Sequence, residues 1–120
     1  MTEPTPAEAI KAELRRDLVA AMKRGAKAEM ALLRQLVAAL DNAEAVPLAE
    51  TRPAAVHHLF GAGTAEAERR HLTLDDIEAL LRWEIDARLE AAAEFARLGV
   101  DTRAEALTAE VELIRRYVGG

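Results

Sequence analysis

The sequence predicts an all-α protein, a small four-helix domain built from two antiparallel helical hairpins. Three observations predict it. Alanine is abundant and aromatic residues make up only 3% of the chain, which favours helix and leaves few bulky groups for a sheet sandwich. No long alternating run of β-branched residues occurs. Four segments carry apolar residues at helical spacing, in two pairs with the members of each pair closely joined.

The first helix is expected over roughly 7–24. Thr5 followed by Pro6 reads as N-cap then first helical residue, and Glu8 completes a capping box. Ile10, Leu14, Leu18 and Met22 then recur every four residues, with Val19 and Ala21 widening the stripe. Lys23 and Arg24 suit the last turn, and Gly25 supplies the stop. A second helix follows at once, over about 26–44. Met30, Leu33, Leu36, Val37 and Leu40 form its stripe, Leu32 lies beside it, and Pro47 closes it. So short a join makes the two helices antiparallel neighbours.

Residues 46–73, "VPLAETRPAAVHHLFGAGTAEAERRHLT", read as a long connection, with one short docked helix at 54–60 as an alternative resting on Val56, Leu59 and Phe60. Thr73 then caps a third helix, with Asp75 and Asp76 complementing the dipole in its first turn. Ile77, Leu81, Ile85, Leu89 and Ala92 run down one face, and Leu74, Leu80 and Trp83 are assigned to a second. Two apolar faces place this helix centrally, against more than one neighbour, until it stops at Gly99. Asp101 or Thr102 is expected to cap the fourth helix, whose stripe is Leu107, Val111, Ile114 and Val118.

A chain of 120 residues is most simply one domain, 1–120, able to bury a core without staples. It has no cysteine, so disulfides and thiolate metal sites are excluded, and a reducing cytoplasm fits. "MTEPTPAEAI" has neither the basic nor the apolar part of a signal peptide, and no apolar run approaches a membrane span, so a soluble, cytoplasmic protein is expected. The net charge of −5 is unevenly placed: residues 1–48 hold seven basic and seven acidic side chains, and 74–120 hold six against eleven. Any nucleic-acid contact would therefore be local.

Glu84 and Arg88 stand one turn apart, in the favoured order for an intrahelical pair, and read as an ion pair at the edge of the core. His57, His58 and His71, with Glu66 and Glu68 between, match no zinc-ligand spacing, so no metal is expected. "GAG" at 61–63 follows no strand and precedes no P-loop lysine, and no G-x-S-x-G motif is present; no cofactor and no catalytic residue is expected. The basic set of the first hairpin, Lys11, Arg15, Arg16, Lys23, Arg24, Lys27 and Arg34, could contact phosphates or a partner. Glu13, Asp17 and Glu29 are interleaved with it, so an ordinary solvated face is the competing reading.

Two blocks together carry a family resemblance. "AELRRDLVAAMKRGAKAEMALLRQLVAALDNAE" and "LTLDDIEALLRWEIDARLEAAAEFARLGVDTRAEALTAEVELIRRYV" resemble the YqeY-like family, related to the C-terminal part of GatB, a subunit of the tRNA-dependent amidotransferase. The likeness covers about 8–45 and 72–118, through the order and spacing of several short features. It implies a four-helix N-terminal domain. The family's second, smaller helical domain, toward which tRNA recognition is placed, is expected to be missing, since the chain ends "YVGG" where the family continues "YLP". Val100 stands where the family's turn has an arginine. Asn42, Glu44, Glu84 and Arg88 fall on family positions, which implies a polar cluster joining the third helix to the first hairpin.

The resemblance thus implies a non-catalytic accessory or adaptor module of amidotransferase-like systems, with tRNA or a protein complex as partner and no membrane. GatB's amidation chemistry belongs to a kinase-like portion for which this chain has no room. Two rivals stand beside it: a carbon–nitrogen ligase with glutamine as amido-N donor, and a plain protein-interaction domain or homodimer using Trp83 or Val56–Phe60.

Overall fold

A computed structural model describes residues 3–45 and 71–119. Four helices are seen among the described residues: α1 Pro6–Arg24, α2 Lys27–Ala45, α3 Leu74–Arg97 and α4 Asp101–Arg115. No strand occurs among the described residues. α1 packs along α2 and α3 along α4, while narrower α1–α3 and α2–α4 contacts join the two hairpins. No helix among the described residues is long and apolar enough to cross a membrane. The expected helix at 54–60, the closing role of Pro47, the glycines at 61–63 and the His57, His58, Glu66 and Glu68 group lie outside the described residues.

Local chemistry sets most of the helix ends. The Thr5 hydroxyl accepts from the Glu8 N–H at 3.1 Å, and the Thr5 N–H donates to Glu8 Oε1 at 2.9 Å, so two otherwise orphaned donors are satisfied. Thr73 and Asp76 repeat the arrangement at α3, both bonds at 3.0 Å. Buried Leu72 and Ile77 occupy the flanking positions of a hydrophobic staple there. Gly25 ends α1 with φ 69°, in the left-handed region that favours glycine, and the chain reverses through Gly25 and Ala26 alone.

The α4 start differs from the expected cap. Val100 occupies the N-cap position with no side-chain bond to the helix, and Asp101 is already helical. The reversal at Gly99 (φ 79°) is so tight that the Val100 N–H returns to the Phe95 carbonyl at 2.8 Å. The Val100 carbonyl accepts from Ala104 at 3.1 Å. The cap therefore falls one residue before the nearest side chain able to serve it.

The core is made of Ala7, Leu14 and Ala21 from α1, Leu32, Leu33, Leu36 and Leu40 from α2, Leu72 with Ile77, Leu81 and Ile85, and Val111 with Ile114 from α4. Leu107 and Ala92 are buried as well. No polar or charged residue is buried among those described. On α1 the seam is a seven-residue repeat rather than the expected four-residue one. Steps of seven fall about 20° short of two turns, whereas steps of four overshoot one turn by about 40°. The run from Ile10 to Met22 therefore crosses the seam obliquely: Leu14 is buried, Ile10 and Leu18 pack half-buried against the core, and Met22 and Val19 are each 51% exposed.

α3 has one buried face, not two. Of the residues assigned to the second face, Leu80 packs half-buried against the core, whereas Leu74 and Trp83 are 70% and 66% exposed. Leu89, assigned to the first face, also reaches solvent. Trp83 lies two positions from both Leu81 and Ile85, hence about 200° around the helix from them. The residue assigned to a second packing face stands opposite the first.

Candidate functional site

Arg88 is the centre of the largest polar cluster among the described residues. Its Nη1 donates to Glu84 Oε1 at 2.6 Å and to the Glu84 carbonyl at 3.1 Å. Its Nε donates to Glu110 Oε1 on α4 at 2.8 Å, and its Nη2 to Gln35 Oε1 on α2 at 3.0 Å. The side chain is only 12% exposed, so these bonds replace most of its hydration. Burial opposes the guanidinium charge, yet hydrogen bonds and charge from Glu84 and Glu110 outweigh it and hold the group above its ordinary value. One planar fork thus ties three helices, as only an arginine with five N–H donors can. The Glu84–Arg88 pair is real and intrahelical, and it forms half of a tertiary link.

A second cluster closes the open end of the first hairpin. Lys11 Nζ donates to Asp41 Oδ1 at 2.8 Å and to Glu44 Oε1 at 2.6 Å. Lys11 and Glu44 side chains are 11% and 12% exposed. Burial works against the Lys11 charge, but bonds to Asp41 and Glu44 prevail and raise its pKa above the usual lysine value. Asn42, Glu44, Glu84 and Arg88 therefore do not make one cluster. Glu44 serves the α1–α2 link, Glu84 and Arg88 serve the link between hairpins, and Asn42 is exposed.

A third link was not anticipated. The Tyr117 hydroxyl, in the turns after α4, donates to Asp17 Oδ2 on α1. Burial raises the phenol pKa first, and the Asp17 hydrogen bond, the charges of Asp17 and then Glu13 raise it further, well above the ordinary tyrosine value. A signal was available: the chain's only tyrosine sits one turn beyond Ile114 on the core stripe, and a half-buried phenol needs a partner for its O–H. Glu110, Asp41 and Gln35 gave no comparable signal, because each partner lies on another helix.

The remaining basic candidates divide cleanly. Arg24 pairs with Glu29 at 2.8 Å, and this hydrogen bond with the Glu29 charge raises its pKa. Arg15, Arg16, Lys23, Lys27 and Arg34 are exposed and engage no ion pair among the described residues. Five cations of the first hairpin thus face water, while Lys11 is held inside it.

A half-open cleft of about 370 Å³ lies between α2, α3 and α4, lined by Gln35, Arg88, Arg103, Leu107 and Glu110 over a floor that includes Ala28 and Ala31. Its ionisable groups are two arginines and one carboxylate, and Glu110 already accepts from Arg88. General acid–base work needs two positioned groups that exchange protons near neutrality, and this lining supplies one at most. The arrangement suits anchoring better than bond-making. A smaller, mostly apolar groove of about 300 Å³ runs past Pro6, Ile10, Leu74, Ile77 and Tyr117. Exposed His71 belongs to no metal-ligating group among the described residues. No protein-family model matches the chain, and no curated protein or solved structure matches it.

Proposed function

We propose that this chain is a helical accessory module of tRNA-dependent amidotransfer, of the kind implied by its resemblance to the YqeY-like family and the GatB tail. It acts without chemistry of its own and engages tRNA through the outer face of the first hairpin. One observation carries the reading. In a chain of net charge −5, Arg15, Arg16, Lys23, Lys27 and Arg34 stand in solvent without carboxylate partners among the described residues, whereas the structural links use other cations. Exposed, unpaired lysines and arginines are what phosphate contact requires, and their contribution is electrostatic and tolerant of sequence. Lys11 is excluded from the contacting set, because its ammonium already holds Asp41 and Glu44.

The test is fluorescence anisotropy of labelled tRNA with the whole chain across a salt series. Binding should weaken steeply with salt, and Lys23→Glu with Lys27→Glu should reduce the log–log slope by about 1.4 to 1.8, as for two lost phosphate contacts. An unchanged slope, or no association at low salt, removes the reading.

A further inference from the structure

The outer face of α3 plays no part in either hairpin seam or in the basic surface just described. At its middle stands Trp83, the chain's only tryptophan, 66% exposed and with an indole N–H that makes no hydrogen bond among the described residues. Ala79 and Ala87 lie one turn before and after it, so neither shields the ring and both permit a backbone to come close. Asp86 and Glu90, three and seven positions on, share the face, are exposed and have no ion pair among the described residues. The cations of α3 are engaged elsewhere: Arg82 holds Glu78 at 3.2 Å, Arg88 holds Glu84 and Glu110, and Arg97 holds Glu94.

We propose that this face docks a basic, amphipathic helix of a partner protein, with Trp83 as its anchor. Exposed indole is the side chain most enriched at the energetic centres of interfaces. An aromatic face beside two unpaired carboxylates complements lysine or arginine next to apolar residues, through ion pairs and cation–π contact. The same carboxylates repel phosphate, so the occupant is a protein rather than nucleic acid. This surface is independent of the basic face of the first hairpin, and either can fail without the other.

The experiment titrates the whole chain with a synthetic amphipathic Leu/Lys helix, followed by calorimetry and by indole emission. The expected result is one-to-one binding with a blue-shifted emission. Calorimetry should show at least tenfold weaker binding for Trp83→Ala and a several-fold loss for Asp86→Lys with Glu90→Lys. Each variant should keep its helical circular dichroism, because all three side chains are exposed. A matched Leu/Glu helix should not bind. Equal affinity of Trp83→Ala for the Leu/Lys helix, or binding of the Leu/Glu helix, overturns the proposal. So does a concentration-dependent doubling of mass that Trp83→Ala abolishes, since a second copy would then cover the face.

Discussion

Replacing Arg88 by alanine tests whether the hub joins the hairpins or merely decorates α3. Four hydrogen bonds are lost, three of them to side chains on three different helices. An exposed helical pair is worth only a few tenths of a kcal/mol. Here the arginine side chain is 12% exposed, and Glu84 and Glu110 are 18% and 24% exposed, so removing it leaves two mostly covered carboxylates facing each other across α3 and α4. Stranding a partly buried charge costs a few kcal/mol, offset here by the water those carboxylates still reach and by the desolvation the guanidinium no longer suffers. A net loss of about 2–3 kcal/mol follows. For a domain of this size that lowers Tm by roughly 8–12 °C. Thermal unfolding by circular dichroism, with urea titration for the free energy, reads it directly. Arg88→Lys should recover only part, because an ammonium cannot serve Glu84, Glu110 and Gln35 from one plane. A Tm drop under about 2 °C for Arg88→Ala would refute the reasoning and return the residue to the status of a surface pair.

Four further outcomes follow from the other links and from the α4 cap. Tyr117 is the only tyrosine, so phenolate absorbance reports it alone, and its midpoint should lie well above 10 in the folded chain and return to about 10 in denaturant. Because the folded value is raised, its contribution to stability is complete below pH 10 and declines as pH climbs from there toward the folded value. Lys11, also raised, acts in the same direction above its ordinary 10.5, so urea midpoints should fall in alkali, and less steeply in Tyr117→Phe. Lys11→Ala should lower stability by about 1–2 kcal/mol in urea titration at neutral pH, because its ammonium bonds two carboxylates from an almost covered position. Val100→Ser should raise stability by about 0.5–1 kcal/mol, since α4 begins on a residue that offers no side-chain acceptor to its first turn.

The helices and their pairing were legible because what sets them is local. Thr5 with Glu8, and Thr73 with Asp76, bond across three residues, while Gly25 and Gly99 each reverse the chain in place. A two-residue join leaves α1 and α2 no option but to lie side by side. The α4 cap slipped by one residue because a backbone reversal, not a side-chain preference, chose it. Which of several apolar stripes became the seam was decided only in the tertiary structure. Ala7, Leu14 and Ala21 took the centre of the α1 seam with Ile10 and Leu18 at its flanks, while Met22 and Trp83 were left in solvent, since a helix can bury only the sector its neighbours cover. The polar links were hidden for the same reason. Arg88 meets Glu110 and Gln35, Lys11 meets Asp41 and Glu44, and Tyr117 meets Asp17 across separations of 22 to 100 residues. Periodicity encodes the angle at which a side chain leaves its own helix. The partner it finds depends on where another helix comes to rest, and that position is set by the packing of all four together.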